Sequence, residues 1–404
     1  MKSVADFLDR CVEVSAPLPP LGVSLAGAAG CVLAETVHAA VNVPAHDVAD
    51  GDGYAVLASD IEQASADHPI RLAVIDSVNA ASVSAGSIVP GGCVQVASGA
   101  PLPSGADAVV PVAFTDHGTA TVQVKRAVMA GSYVRHTGED ARAGEELLPA
   151  GVRLSARHLA LLAAEGHASA MVHPSPRVVI VAVGDELQEP GRPARAGKVF
   201  DATSHALASA VRDAGGNVFR VGVVSDEKRV LRETLEDQLV RADIIITTGG
   251  LSYSGGDSVK EVLASFGSVR FDAVALWPGR QLGVGVLNEE AAVFCLPGNP
   301  VAALTAFEIF IRPALRHMAG YSQIHRRPIT ARLTAAWPGH KGLEDYVPVR
   351  AEGNPRDGYR ATPLVPTATT LMSAFAHANG LAVLPPELGT VSEGEQVQCI
   401  ILDL

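Results

Sequence analysis

Three loops in the second half of the chain combine glycines, hydroxyls and carboxylates, the residue types that phosphate and metal chemistry draws on. Gly184-Asp185-Glu186 follows the apolar run VVIVAV, so a glycine permits a tight turn and two carboxylates emerge together. Such a pair can hold a divalent cation or orient a nucleophile, although for an isolated GDE a solvated acidic turn is the favoured reading. The segment from Thr247 to Asp257 (TTGGLSYSGGD) runs straight into the helical pattern SVKEVL. Glycines and hydroxyls leading into a helix start offer free backbone N–H groups to a phosphate. Thr248, Gly249, Gly250, Ser252 and Lys260 are therefore candidate ligand contacts, and Asp257 is either a helix cap or a functional carboxylate as well. In Leu296-Pro297-Gly298-Asn299-Pro300, Asn299 suits an N-cap and Pro300 the first helical position, a stiff helix start that serves structure or ligand contact equally well.

The first half carries shorter turns of the same kind. Asp50-Gly51-Asp52-Gly53-Tyr54, Ser98-Gly99-Ala100-Pro101 and Gly138-Glu139-Asp140 each place small or acidic residues beside a strand-like segment, and each alone reads as a hairpin turn. His46 and His136 lie near them without a second His or Cys at metal-ligand spacing. No Gly-x-Ser-x-Gly elbow and no P-loop is present, which disfavours a serine hydrolase or a kinase.

The elements that must position these loops follow from the hydrophobic pattern. Apolar residues at helical spacing from Ser3 to about Val14 predict a first helix, ended by APLPPLG, and a second short helix fits Leu25 to Val37. Val-rich segments punctuated by Gly, Pro and Asp fill the stretch up to Glu145, and a helical pattern resumes at ARHLALLAAE. From Pro176 the runs VVIVAVG, NVFRVGVV, DIIITTGG and AVFCLPGNP alternate with amphipathic helical patterns, which implies a parallel sheet covered on both faces. Ligands in such sheets sit beyond the carboxyl ends of the strands, where these loops fall. Beyond Arg327 the pattern returns to short strands, PITARLTAA, DYVPVRA, GLAVLPP and EQVQCIIL.

Bulk properties narrow the class. At 404 residues several hydrophobic cores are expected, and a formal net charge of −12 without a Lys/Arg run excludes nucleic acid and acidic membrane surfaces as partners. Cys11, Cys31, Cys93, Cys295 and Cys399 are scattered, as buried thiols of a reducing compartment would be. No apolar stretch is long enough to span a bilayer, and a cytoplasmic protein is expected.

Taken together, DGYAV at 52–56, SGAPLPSGADAVV at 98–110, GED at 138–140, GDEL at 184–187, TTGGLS with Asp257 and Lys260, and LPGNPVAAL at 296–304 resemble the molybdopterin molybdenumtransferases. This is the MoeA family, to which the carboxy-terminal domain of gephyrin is also similar. The motifs occur in the family's order over nearly the whole chain. The resemblance implies an α/β multidomain protein with four parts: a helical linking domain (1–44 and 146–175), an inserted β-rich domain (45–145), an α/β molybdopterin-binding domain with a parallel-type sheet (176–326), and a C-terminal β domain (327–404). It also implies a homodimer in which the inserted domain of one subunit meets the α/β domain of its partner.

The implied reaction inserts molybdate into adenylated molybdopterin and releases AMP, with Mg2+ or another divalent cation. An adenylyltransferase upstream and molybdoenzymes downstream are the implied further partners. By position, Asp52, Asp140, Glu186 and Asp257 match catalytic residues, the last three also as metal ligands. Ser98, Gly184, Asp185, Asp201, Thr248, Gly249, Gly250, Ser252, Lys260, Pro278, Arg280, Pro297, Gly298, Asn299 and Pro300 match the ligand-holding set, Arg280 being the candidate for molybdate itself. The chain departs from the family's usual residues at Asp50, Ser254, Gly255, Arg280 and Gln281. Two readings follow, an active insertase or a paralogue that binds molybdopterin or a protein without turnover. Retention of most acidic positions favours the first.

Overall fold

Uninterrupted Val and Ile runs need cover on both faces, and the strands after Pro176 obtain it by strict alternation of side chains. The structure, a computed structural model, describes residues 1–82, 86–191, 193–251, 258–365 and 369–402. Within this segment the chain runs β1 (Arg177–Val183), α1 (Thr203–Ala214), β2 (Asn217–Val224), α2 (Lys228–Leu239), β3 (Ile244–Thr248), α3 (Ser258–Leu263), β4 (Gly267–Ala273), β5 (Gln281–Leu287), β6 (Ala291–Leu296) and α4 (Pro300–Ala306). The six strands form one sheet in the order β2-β1-β3-β6-β5-β4. The first four are parallel, and the β4/β5 hairpin adds two antiparallel strands, so the sheet is mixed rather than purely parallel.

Even-numbered residues of β1, Val178 and Ile180, pack with Leu207 and Val211 of α1 on one face. Odd-numbered Val179, Val181 and Val183 pack with Leu231 and Leu235 of α2 and Val259 of α3 on the other. From β1 the chain steps to β2 on one side and then returns to β3 on the other, a topological switch point that opens a crevice between the carboxyl ends of β1 and β3. The register brings those ends level, with Ala182 opposite Thr248 and Thr248 opposite Leu296.

The first helix, Val4–Glu13, starts where Ser3 Oγ accepts the Asp6 N–H at 3.0 Å, and it buries Val4, Phe7 and Cys11. Phe7 meets Phe310 edge to face at 4.9 Å, fixing this helix on the core beneath α1 and α4. After α4 the helix widens into a π turn, Phe307–Ile311, before Arg312–Met318. Pro313, which has no N–H to donate back along the helix, accounts for the break in the α pattern.

The helix expected over Leu25 to Val37 is a single turn, Leu25–Ala28, because Gly30 adopts φ +81° and turns the chain into the strand Val32–Leu33. That strand joins Leu21–Ser24 and Ser169–His173 in a three-stranded sheet, so the linking segments are not purely helical.

The chain divides into two compact units, Thr36–Pro149 with Ala156–Ser169, and the remainder. The smaller unit holds a five-stranded sheet with Gly53–Val56 at its heart, flanked by Ala108–Pro111 and Gly92–Val96. In the larger unit the C-terminal strands Glu344–Asn354, Gly358–Pro363, Pro328–Leu333, Gln396–Ile401 and Gly380–Leu384 close into a barrel by pairing of the first with the last. Trp337, Val347, Val349 and Leu384 fill it. Among the described residues, no helix is long and apolar enough to cross a membrane.

Candidate functional site

A cleft of about 240 Å³ lies at the switch point of the α/β sheet. Val183 at the end of β1, Thr248 and Gly249 after β3, and Gly298 after β6 form its strand-end wall. Thr203 and Pro300 enter from the first turns of α1 and α4, and Glu186 stands on the turn after β1. The remaining wall is a two-stranded ribbon, Leu187–Gln188 paired in parallel with Val199–Phe200. Larger cavities of about 440 and 570 Å³ occur in the same unit, lined mostly by apolar residues such as Val4, Leu8 and Ile309 or Leu18, Leu21 and Val172. Neither gathers strand ends, glycines and hydroxyls, and the smaller cleft is the better candidate on chemistry.

The glycines are dictated by close approach. Gly249 has φ +89°, and a Cβ on it would lie 2.2 Å from the Val183 carbonyl oxygen, while at Gly250 (φ +67°) it would lie 2.4 Å from Val259 Cγ2. Only glycine lets β3 turn out of the sheet this close to β1. Two hydroxyls then tie the loops together: Thr248 Oγ1 donates to Pro297 O at 3.1 Å and Thr203 Oγ1 to Gly298 O at 3.0 Å. Asn299 caps α4 by accepting the Ala302 N–H at 3.0 Å, with Pro300 in the first turn. The N–H groups of Gly250, Gly298 and Asn299 carry no hydrogen bond among the described residues, and of the three residues Gly298 lines the cleft while the other two adjoin lining residues.

The carboxylates have different fates. Asp201 is buried, accepts the Ser204 N–H at 2.9 Å together with the Ser204 hydroxyl, and faces Arg220 at 3.4 Å. Arg220 also reaches Glu189 at 2.8 Å, so Asp201 lines the cleft as a structural anchor with its charge already compensated. Asp185 is exposed, its N–H donating to Asp226 at 3.0 Å. Glu186 is exposed and its side chain carries no hydrogen bond or ion pair among the described residues. Gly184 sits at the turn itself, its N–H donating to Val224 O at 3.1 Å.

Several expected contacts stand elsewhere. The Lys260 ammonium lies 5.8 Å from the Phe271 ring centroid and does not line the cleft. Arg280 is exposed and reaches Met1 Sδ at 2.7 Å, away from the cleft wall. Pro278 follows a cis peptide bond, and Gly279 packs so tightly that a Cβ would meet Ala302 Cβ at 2.7 Å and Pro297 at 3.2 Å. These residues shape the loop after β6 from behind. Ser252 and Asp257 lie outside the described residues.

In the smaller unit, Asp52 and Ser98 are brought together, the Ser98 N–H donating to Asp52 Oδ1 at 2.8 Å. Gly53 is required there because a Cβ would come within 2.2 Å of Val110 O. Asp140 is exposed on the turn after Gly138, its N–H held by Val43 O at 2.9 Å. Beside it, Asp47 accepts from Thr137 N–H at 2.8 Å and lies 3.0 Å from His136 Nδ1, and these contacts hold its carboxyl below the usual range.

Sequence reasoning missed the ribbon residues Val199 and Phe200 and the clamp from Thr203. The signal available was an apolar pair, Val-Phe, set directly before an acidic helix start. Among the described residues no group of three or more His, Cys, Asp or Glu could hold a metal. A single unpaired carboxylate, Glu186, fits a hard cation that takes most of its ligands from phosphate and water.

Comparison with known proteins decides the family. Residues 2–166 match the model described as MoeA N-terminal region (domain I and II), 179–317 the probable molybdopterin binding domain, and 330–402 the MoeA C-terminal region (domain IV). The chain belongs to the MoeA family. Among its MoeA relatives, molybdopterin molybdenumtransferase 1 of Mycobacterium tuberculosis is 34% identical over 422 residues, covering 100% of this chain and 99% of the relative. Molybdopterin molybdenumtransferase of Bacillus subtilis is 32% identical, covering 92% and 87%. A solved structure of the molybdopterin biosynthesis MoeA protein from Pyrococcus horikoshii superposes with TM-score 0.82 at 27% identity over 99% of both chains.

Proposed function

We propose that this chain is a molybdopterin molybdenumtransferase, which inserts molybdate into adenylated molybdopterin and releases AMP. The observation that carries the reading is the cleft at the switch point, where loops from β1, β3 and β6 converge, with the unbonded N–H of Gly298 and the unpaired carboxylate of Glu186 on its wall and the unbonded N–H groups of Gly250 and Asn299 on the same loops. Backbone amides of Gly250, Gly298 and Asn299 suit the phosphates of the adenylated substrate. Thr203 and Thr248 hold the loop carbonyls in place, so the amides stay aimed without reorganisation. Glu186 would hold Mg2+ or another divalent cation, with Asp257 and Asp140 proposed beside it. When bound, that cation supplies charge neutralisation at the phosphates.

The four-part division at 1–44 with 146–175, 45–145, 176–326 and 327–404 belongs to the same proposal, supported by matched regions named as domains I and II and domain IV. So does a homodimer, in which Asp52, Ser98 and Asp140 would complete the partner's cleft. A cytoplasmic setting between an adenylyltransferase and the molybdoenzymes that receive the product goes with it.

The test incubates purified protein with adenylated molybdopterin, molybdate and Mg2+ and follows AMP and reconstitution of a cofactor-free molybdoenzyme. AMP release coupled to active cofactor is expected, and tight binding without AMP would overturn the transferase reading. Glu186→Gln should lower turnover and raise the Mg2+ concentration needed for half-maximal rate, with an unchanged circular dichroism spectrum. Full activity in Glu186→Gln would remove that residue from the site.

A further inference from the structure

Phe200 is the unused feature of the cleft. It is 45% exposed, and its neighbour Val199 is 55% exposed, in a protein where only 4% of residues are aromatic. A large apolar side chain left facing water on the wall of a cleft, beside Val199 and Leu187 and across from glycines and hydroxyls, calls for a flat apolar partner. Among the described residues lining the cleft, Phe200 is the one aromatic.

The ribbon that carries it is tied at both ends. Val199 N–H donates to Glu186 O at 2.8 Å and Asp201 N–H to Gln188 O at 2.9 Å. Directly after Phe200, the buried Asp201 is locked by Ser204 and Arg220, and Arg220 by Glu189. Arg220 and Glu189 do not themselves line the cleft; they reach it only through Asp201, so the charges of this network go to fixing backbone. The aromatic ring is thus exposed on a backbone that is already ordered, which is how a stacking platform is prepared. The strand-end wall contributes Gly249 and Gly298, whose lack of side chains leaves a slot, and a Cβ at Gly298 would already lie 3.6 Å from Gly249 Cα.

We infer that Phe200 is a specificity-determining residue that stacks on a flat nitrogen heterocycle of the ligand whose phosphates occupy the strand-end loops. The inference rests on the proposed substrate reading and names the part of it that the ribbon recognises. That substrate has two such rings, adenine and pterin, with the same stacking chemistry.

The experiment measures binding of AMP, 6-hydroxymethylpterin and inorganic pyrophosphate to the full chain by titration calorimetry, with Mg2+ present. Wild type, Phe200→Ala, Phe200→Leu and Phe200→Tyr are compared. Phe200→Ala and Phe200→Leu should weaken one ring ligand by roughly 5- to 100-fold, the range of a lost base–aromatic stack, and Phe200→Tyr should restore it. Whichever ring responds is the one the ribbon holds. Pyrophosphate, which has no ring, should bind all four proteins within about twofold, and it reports on the phosphate loops independently of Phe200. Equal ring affinity in wild type and Phe200→Ala overturns the inference while leaving the phosphate site standing. Failure of both rings to bind wild type overturns it whatever pyrophosphate does, whereas Phe200-dependent ring binding without pyrophosphate binding upholds it and removes the phosphate reading. A changed mass of the assembly in solution in Phe200→Ala, with unchanged ring affinity, would assign the side chain to a subunit contact and overturn it too.

Discussion

Replacing Gly249 with alanine should separate the turn that builds the cleft from the residues that fill it. At φ +89° an L side chain costs roughly 1–2 kcal/mol in the left-handed region. The larger effect is steric, because the new methyl would stand 2.2 Å from the carbonyl oxygen of Val183, an atom on the backbone of the neighbouring strand. An ordinary carbon–oxygen contact needs about 1 Å more, and neither strand end can give that without opening the β1–β3 crevice. Overpacking of this kind costs roughly 1–3 kcal/mol, so the sum is about 2–5 kcal/mol. With about 2–4 °C per kcal/mol for a unit of this size, the melting temperature should fall by at least about 4 °C. Gly358→Ala is the matched control: it lies in the same unit at φ +81° with nothing within 4 Å of the added methyl, so it carries only the backbone cost. Scanning calorimetry and pyrophosphate titration on both variants give the comparison. If Gly249→Ala melts and binds like Gly358→Ala, close strand approach is not what requires glycine there.

Three further outcomes are expected. Phe7→Ala removes a buried ring packed on Phe310 and should destabilise the larger unit by roughly 3–5 kcal/mol, and a loss below about 1 kcal/mol in urea unfolding would show that the first helix is not stapled to the core. Burial pushes the thiols of Cys93 and Cys295 up to about 12 and that of Cys399 up to about 11, and it raises Cys11 as well. Cys31 is the one thiol not fully buried, so iodoacetamide at pH 8 on native protein should add a single slow adduct at Cys31, read by peptide mass; equal labelling of Cys295 would contradict the core described for β6. Asp47, whose folded carboxyl titrates below its ordinary value because Thr137 and His136 bind the charged form, contributes stability that is present above about pH 4 and lost as pH falls through the folded value. The group is 42% exposed, so the contribution stays under about 1 kcal/mol, and the urea-midpoint difference between wild type and Asp47→Asn should shrink toward zero on acidification; a difference that grows reverses the sign.

The strands that the sequence reveals are those buried on both faces, because short runs rich in β-branched Val and Ile and ended by glycine favour a strand over a buried helix at VVIVAV and DIIITT. The β4/β5 hairpin escapes the same logic. Its second strand reads QLGVGVL, and glycines at 283 and 285 look like breakers until the backbone shows why they are there: a Cβ at Gly285 would sit 2.2 Å from Ser268 O, and one at Gly283 would strike Phe271. The small sheet joining Val32–Leu33 to Ser169–His173 is illegible for another reason, since two-residue strands have no period and their partners are distant in sequence. At the site the same split holds. GDE, TTGG and LPGNP announce themselves through turn chemistry, whereas the role of Asp201 depends on Arg220, which lies nineteen positions on in a different strand. Lys260 was visible as a charge, but not that its ammonium lies 5.8 Å from the ring of Phe271 on the edge hairpin, an element that the pattern conceals.

The contrast between Asp201 and Glu186 explains how one cleft can carry two carboxylates and still accept an anion. Two uncompensated carboxylates beside a diphosphate would each add roughly 1–4 kcal/mol of repulsion at contact distances. Asp201 avoids this because Ser204 and Arg220 take up its charge below the cleft wall, and the charge is used to hold the ribbon and the start of α1. Glu186, fifteen residues earlier on the exposed turn, has no such partner among the described residues, and the turn that carries it is fixed by Gly184 N–H on Val224 O and Val199 N–H on Glu186 O. Its backbone is ordered while its charge is left open. A side chain in that state favours a cation over a bare anion, so under the proposed function the cleft would distinguish a phosphate that brings a divalent cation from one that does not. Selection of that kind would start from one carboxylate left open at the edge of a rigid sheet, and it would not need a surplus of basic residues.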